Sequence, residues 1–136
     1  MNYPDVENPE KIGSYPALVK SGGGYLWDEV LEYRVWCHPE HGADDEYDGD
    51  DYFYCFSTYL EAEKFSKNHD GTEEPLVLIL QREYIDEPVP GEFNLVREHR
   101  ITEWSCKWLS RARRDKETLE EFFKDPTSDN LYKLRR

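Results

Sequence analysis

Five consecutive apolar residues, Leu76-Val-Leu-Ile-Leu80, stand between Pro75 and Gln81, and this run narrows the folds open to the chain. It is too short for a buried helix and is bounded by a turn, so it reads as a central strand, over 75–82, covered on both faces. The covering layers must come from the same chain, because 136 residues hold one core and leave no room for a second. Charged residues make up 35% of the sequence, a share that would suit a disordered chain, but 4 Trp, 10 Tyr and 6 Phe supply enough large buried area for a folded one.

Around that run the pattern alternates between period two and helical spacing. Val30 to Cys37 is rich in β-branched and aromatic residues and reads as a strand, with Leu31, Tyr33, Val35 and Cys37 on one face and Glu32, Arg34 and Trp36 on the other. Tyr52 to Phe56 is a short aromatic strand. Thr58 followed three residues later by Glu61 is a capping box, which opens a helix over 58–67 that Asn68 and Gly71 stop. Phe93 to Arg97 and 100–108 read as further strands, the second with Thr102, Trp104, Cys106 and Trp108 on one face. Asp115 is placed to cap a helix over 116–124 carrying Leu119, Phe122 and Phe123 at i, i+3, i+4 before Asp125-Pro126 ends it.

The expected fold is a single α+β domain over 1–136, with a mostly antiparallel or mixed sheet and two to three helices. Residues 1–14, with Pro4 and Pro9, form an irregular arm; Ser21-Gly22-Gly23-Gly24 is a turn; residues 110–136 are a basic helical tail.

Charge is unevenly placed. Residues 1–100 carry 8 Lys/Arg against 23 Asp/Glu, and residues 101–136 carry 9 against 7. The overall excess of acid repels nucleic acid and anionic lipid, while the run Arg111, Arg113, Arg114 and Lys116 suits docking onto the protein's own acidic body or onto an anionic partner. Three cysteines, Cys37, Cys55 and Cys106, with no C-x-x-C unit, point to a reducing compartment. With no leader pattern and no apolar stretch of membrane-spanning length, the expectation is a cytoplasmic protein.

Several loops have the look of ligand sites. Asp44-Asp-Glu46-Tyr-Asp48-Gly49 begins like a calcium loop, but Cys55 stands at the closing position where a bidentate Glu is required, so a solvated acidic hairpin loop is the plainer reading. Cys37, His38 and His41 have metal-binding chemistry but no fourth ligand fixed by spacing, and no metal site is assigned. Gly22 to Gly24 lacks the spacing of a phosphate-binding loop.

A different set is spread along the chain: Arg34 on a strand, Ser57-Thr58 where the aromatic strand becomes a helix, and Glu103 on a late strand. An arginine grips a diphosphate, a neighbouring hydroxyl fixes it, and a carboxylate stabilises a developing oxocarbenium ion. In this respect the chain resembles the ADP-ribosyltransferase fold over roughly residues 30–108, with Tyr52 to Phe65 followed by Leu76 to Leu80 similar to that family's central strand, helix and strand. The resemblance implies NAD as cofactor, Arg34, Ser57, Thr58 and Tyr59 as its binding residues, Glu103 as the catalytic carboxylate, and a macromolecular acceptor. Ile101 stands where that family carries a second Glu or Gln, and Tyr59 where it usually carries Ser or Thr.

Tyr15-Pro-Ala-Leu-Val-Lys-Ser-Gly-Gly-Gly24, Glu32 to Pro39 and Arg100-Ile-Thr-Glu-Trp104 also resemble a group of small bacterial proteins often labelled GNAT-type acetyltransferase. That label implies acetyl-CoA, although the backbone cradle for its pyrophosphate has no counterpart in this chain. A third reading is a non-catalytic acidic module, an inhibitor or adaptor that meets a basic partner through residues 40–51.

Overall fold

The computed structural model describes residues 3–19, 26–110 and 113–135; the expected Ser21–Gly24 turn and Arg111 of the basic run lie outside them. Four strands, β1 (Glu29–Cys37), β2 (Tyr52–Phe56), β3 (Leu76–Gln81) and β6 (Arg100–Ser105), form one sheet in the order β2-β1-β3-β6. Every pairing is antiparallel. The apolar run is β3, an inner strand, and Val77, Leu78 and Ile79 are fully buried. A separate hairpin pairs β4 (Tyr84–Asp86) with β5 (Asn94–Val96), so the strand expected at 93–97 exists but lies outside the main sheet.

Helix α1 (Tyr59–Asn68) starts at Thr58, whose hydroxyl accepts from the Glu61 amide at 3.2 Å. It packs with one face of the sheet, where Tyr33, Val35, Val77, Ile79, Trp104 and Ala62 share a core. Two expectations shift here. The β1/β3 register slips between Val30 and Glu32, so a bulge at Leu31 moves Val30 onto the face of Tyr33, and Leu31 drops out of the expected row. β6 stops at Ser105 and residues 106–110 wind into a 3-10 turn. Ser105 pairs with Leu76, and the next residue of the neighbouring strand would be Pro75, which has no N–H to extend the ladder.

The N-terminal arm is irregular apart from one 3-10 turn at Pro9–Lys11, yet it is an integral layer. Tyr3 packs on Tyr59, and Val6 enters the core beside α1. Farther on, Gly13, Pro16 and Ala17 bond to side chains on the opposite face of the sheet, and so that face is covered as well.

Helix α2 (Thr118–Phe123) and a 3-10 segment at Ser128–Arg135 close a second small core, in which Leu26, Ile85, Phe122 and Leu134 are buried; the single core expected from chain length is thus divided, because the β4–β5 hairpin lies outside the main sheet and its Ile85 and Leu95 are covered by the tail. The helix begins at Thr118 and not at 116, and Asp115 acts three residues before it, its Oδ1 accepting from the Glu117 amide at 2.8 Å and the Thr118 hydroxyl at 3.0 Å. Arg114 anchors this tail: Nε and Nη2 donate to the two Asp28 oxygens at 2.8 and 3.2 Å, and Nη1 donates to Glu83 at 2.7 Å. At Arg114, then, the basic tail meets the protein's own acidic body. Arg114→Ala strands the largely buried Asp28 carboxylate, and an unfolding midpoint in urea lowered by the equivalent of about 2–3 kcal/mol is expected, with faster protease cutting after residue 113.

Candidate functional site

Because both faces of the sheet are covered, Glu32 and Arg34 of β1 are buried with their charges. Arg34 is 0% exposed. Its Nε donates to Glu32 Oε2 at 2.6 Å, Nη1 to Glu103 Oε2 and the Ala17 carbonyl at 3.2 Å each, and Nη2 to the Pro16 carbonyl at 2.7 Å. The guanidinium also lies 4.4 Å from the Phe53 ring centre. The register explains the convergence: Glu32 and Glu103 both sit opposite Leu78 of the strand between them, with Arg34 one row along opposite Leu76.

Glu32 binds on both oxygens, taking the Gly13 amide at 2.9 Å and the Cys55 thiol at 3.2 Å besides Arg34. Glu103 also accepts from the Trp36 indole at 3.1 Å, and its side chain is 21% exposed. Arg34 and Glu103, placed together in the sequence reading, do meet. Ser57, Thr58 and Tyr59 are engaged elsewhere. Ser57 and Thr58 donate to Glu61 Oε1 at 3.3 and 3.2 Å in the cap of α1. Tyr59 donates to Glu63 at 2.9 Å and packs on Tyr3 and Tyr33 beside α1. Glu32, Trp36 and Phe53 complete the cluster; strand periodicity puts Glu32 and Trp36 on the face of Arg34, whereas Phe53 comes from the neighbouring strand and has no such signal.

Burial lifts all three thiols: Cys55 to about 12, helped by the Glu32 carboxylate, Cys106 to about 12, and Cys37 upward. All stay protonated near neutrality, the wrong state for a nucleophile or metal ligand. Among the described residues no group of His, Cys, Asp and Glu is arranged to hold a metal ion.

The acidic loop 38–51 is held by His38. Its Nδ1 faces Asp51 at 2.9 Å and its Nε2 faces Glu73 at 3.0 Å, so the ring joins the end of the loop to the approach to β3. Occupying both carboxylates requires both ring nitrogens to carry protons, and the hydrogen bonds to Glu73 and then Asp51 push the imidazole up from its ordinary range. A pKa higher in the folded state adds stability that is complete below the unfolded value of about 6.5 and is lost as pH rises through the folded one. The stability lead of the native chain over His38→Gln is therefore expected to shrink between pH 6 and pH 8.5. Urea unfolding at the two pH values measures it, and a lead that grows with pH contradicts the bridge.

Between this loop, β2 and α1 lies an open cleft of about 260 Å3 lined by Asp44, Glu46, Tyr52, Tyr54, Phe65 and Asp70 among others, with no Lys or Arg in its lining. Tyr54 donates to Glu46 at 2.8 Å and Tyr52 to the Asp44 carbonyl at 2.7 Å, which ties the loop to the aromatic strand. The bond to Glu46 raises the Tyr54 phenol to about 12.

No protein-family model, curated protein or solved structure significantly matches this chain. Among the described residues no helix is long and apolar enough to cross a membrane.

Proposed function

We propose that the protein is a non-catalytic acidic module that docks onto a basic protein surface through the 38–51 loop and the strand and helix beside it. One observation carries this reading: from residue 35 to residue 63 there is no Lys or Arg against nine Asp/Glu, and this is the stretch that forms the loop, β2 and the first half of α1. The buried and half-buried acid elsewhere is paired internally, Asp28 and Glu83 with Arg114, Glu29 with Arg82, and Glu32 with Arg34, and within the stretch only Glu63, with Lys67, meets a lysine or arginine among the described residues. A face with such an excess of acid speeds encounter with a cationic surface and selects against anionic ones. Immobilised poly-lysine is expected to retain the protein at 50 mM salt and release it by 300 mM. The variant with Asp44, Asp45 and Asp48 all changed to Asn is expected to bind at least tenfold more weakly. Equal retention of variant and native chain would overturn the reading.

A second reading, an ADP-ribosyltransferase-like transferase using NAD, is supported by the 3.2 Å approach of Arg34 to Glu103. It requires the 13–17 strap to lift, since the Pro16 and Ala17 carbonyls take up the arginine donors a diphosphate would use. A thermal-shift titration separates the readings: stabilisation by NAD that Glu103→Gln abolishes favours the transferase, stabilisation by acetyl-CoA alone favours an acetyltransferase, and no shift with either leaves the docking module.

A further inference from the structure

We infer that the cleft between the acidic loop, β2 and α1 is a receptor for a single arginine side chain presented by the basic partner; the inference rests on the docking reading and gives it a specific contact. The walls are aromatic and steeply angled. Tyr52 and Tyr54 have ring centres 5.8 Å apart at 87°, and Tyr54 and Phe65 are 5.2 Å apart at 64°. Phe65 is stacked at 3.9 Å on His69, which lines the same cleft. Rings set at such angles turn both a face and an edge toward one space, and a cation gains from the electron-rich faces.

The charged lining is of one sign, Asp44, Glu46 and Asp70, and Cys37, which also lines the cleft, is a buried neutral thiol. An anion is repelled from such a space, and a neutral ligand gains hydrogen bonds from the three carboxylates but no charge attraction. Guanidinium is favoured over ammonium because it is flat, sheds water more readily, stacks on rings and spans a carboxylate with two N–H groups. The protein uses this pairing twice on its own arginines: Arg34 lies 4.4 Å from the Phe53 ring centre and Arg100 lies 3.7 Å from that of Tyr84.

The cleft is also pre-formed by backbone. Gly71 at φ +74 lets the 70–72 turn pass against Ala43 and His38, with the His38 amide donating to the Gly71 carbonyl at 2.8 Å. The loop side and the helix side of the cleft are therefore in fixed register before any ligand arrives, and one side chain can enter with little reorganisation.

The test is a titration of the full chain, followed by amide and aromatic NMR shifts, with acetyl-Gly-Arg-Gly-amide and its lysine counterpart. Saturable shifts are expected at Tyr52, Tyr54, Phe65 and residues 44–46 and 68–72, with the arginine peptide binding at least fivefold more tightly than the lysine one. Tyr54→Ala and, independently, Asp70→Asn are each expected to weaken it at least threefold. The second variant changes an exposed surface carboxylate, so a folding failure in the first does not decide the outcome. Absence of saturable shifts in the cleft, or equal binding of the two peptides unaffected by either variant, overturns the arginine site. If poly-lysine retention persists in that event, the docking face stands without the site; if it too is absent, both fail.

Discussion

Arg34→Met is expected to lower the unfolding free energy by about 3–5 kcal/mol, the cost of leaving a buried carboxylate without its counter-charge. Glu32 has no route to solvent at 0% exposure, and with Arg34 gone its remaining partners are one amide and one thiol. Such a loss is a large part of the about 5–15 kcal/mol that keeps a domain folded. The Pro16 and Ala17 carbonyls lose their donors in the same step, so the strap over the sheet should loosen together with the core, detectable as faster amide exchange at Gly13. The informative comparison is the double variant Glu32→Leu, Arg34→Met. Removing both charges takes away the desolvation cost as well as the attraction, so the double variant should be more stable than Arg34→Met alone. Equal or additive destabilisation would mean that the two charges do not depend on one another.

Gly71→Ala is expected to cost about 3 kcal/mol or more and to open the cleft. A Cβ at this position would stand 2.2 Å from the Ala43 amide nitrogen and 2.8 Å from the His38 carbonyl oxygen, and both are backbone atoms that cannot swing aside. The residue also sits at φ +74, where any side chain is strained. The relief available is to push the 38–43 segment away from the 70–72 turn, which lengthens the His38 amide contact to the Gly71 carbonyl and pulls the ring from Glu73. The variant should therefore lose the upward shift of the His38 imidazole along with stability, and an NMR titration of His38 reads this apart from global unfolding. Gly49→Ala is the control: its φ is also positive, but nothing lies within 4 Å of the added carbon, so it should cost only about 1–2 kcal/mol. Similar losses at the two glycines would remove the steric argument.

The elements of this fold were legible because each is written in a few adjacent residues. Leu76 to Leu80 had to be covered on both sides wherever it lay, Thr58 and Glu61 set the start of α1 within a single turn, and the β-branched and aromatic alternation of Val30 to Cys37 marked a strand on its own. Local pattern is silent where a neighbour decides. Nothing near Leu31 announces a bulge, because its cause lies in the register with β3. The alternation through Trp108 gives no hint that Pro75, far back in the chain, has no N–H to pair with. The candidate site divides the same way. That Arg34 and Glu103 were both notable could be seen from their chemistry on strands.

Which partners they take is a long-range matter: 69 residues separate Arg34 from Glu103, and 18 separate it from the Pro16 carbonyl. The strands, the capped helix and the acidic stretch between Arg34 and Lys64 follow from short windows of residues, since local hydrogen bonding and side-chain periodicity act over a few positions. That the arm covers the charged face of the sheet, that Ser57 joins the helix cap instead of the arginine, and that His38 bridges Asp51 to Glu73 is settled by how the segments pack. Those outcomes depend on strand register and on which surface each segment buries, and burial is a property of the assembled layers that no short window of sequence contains.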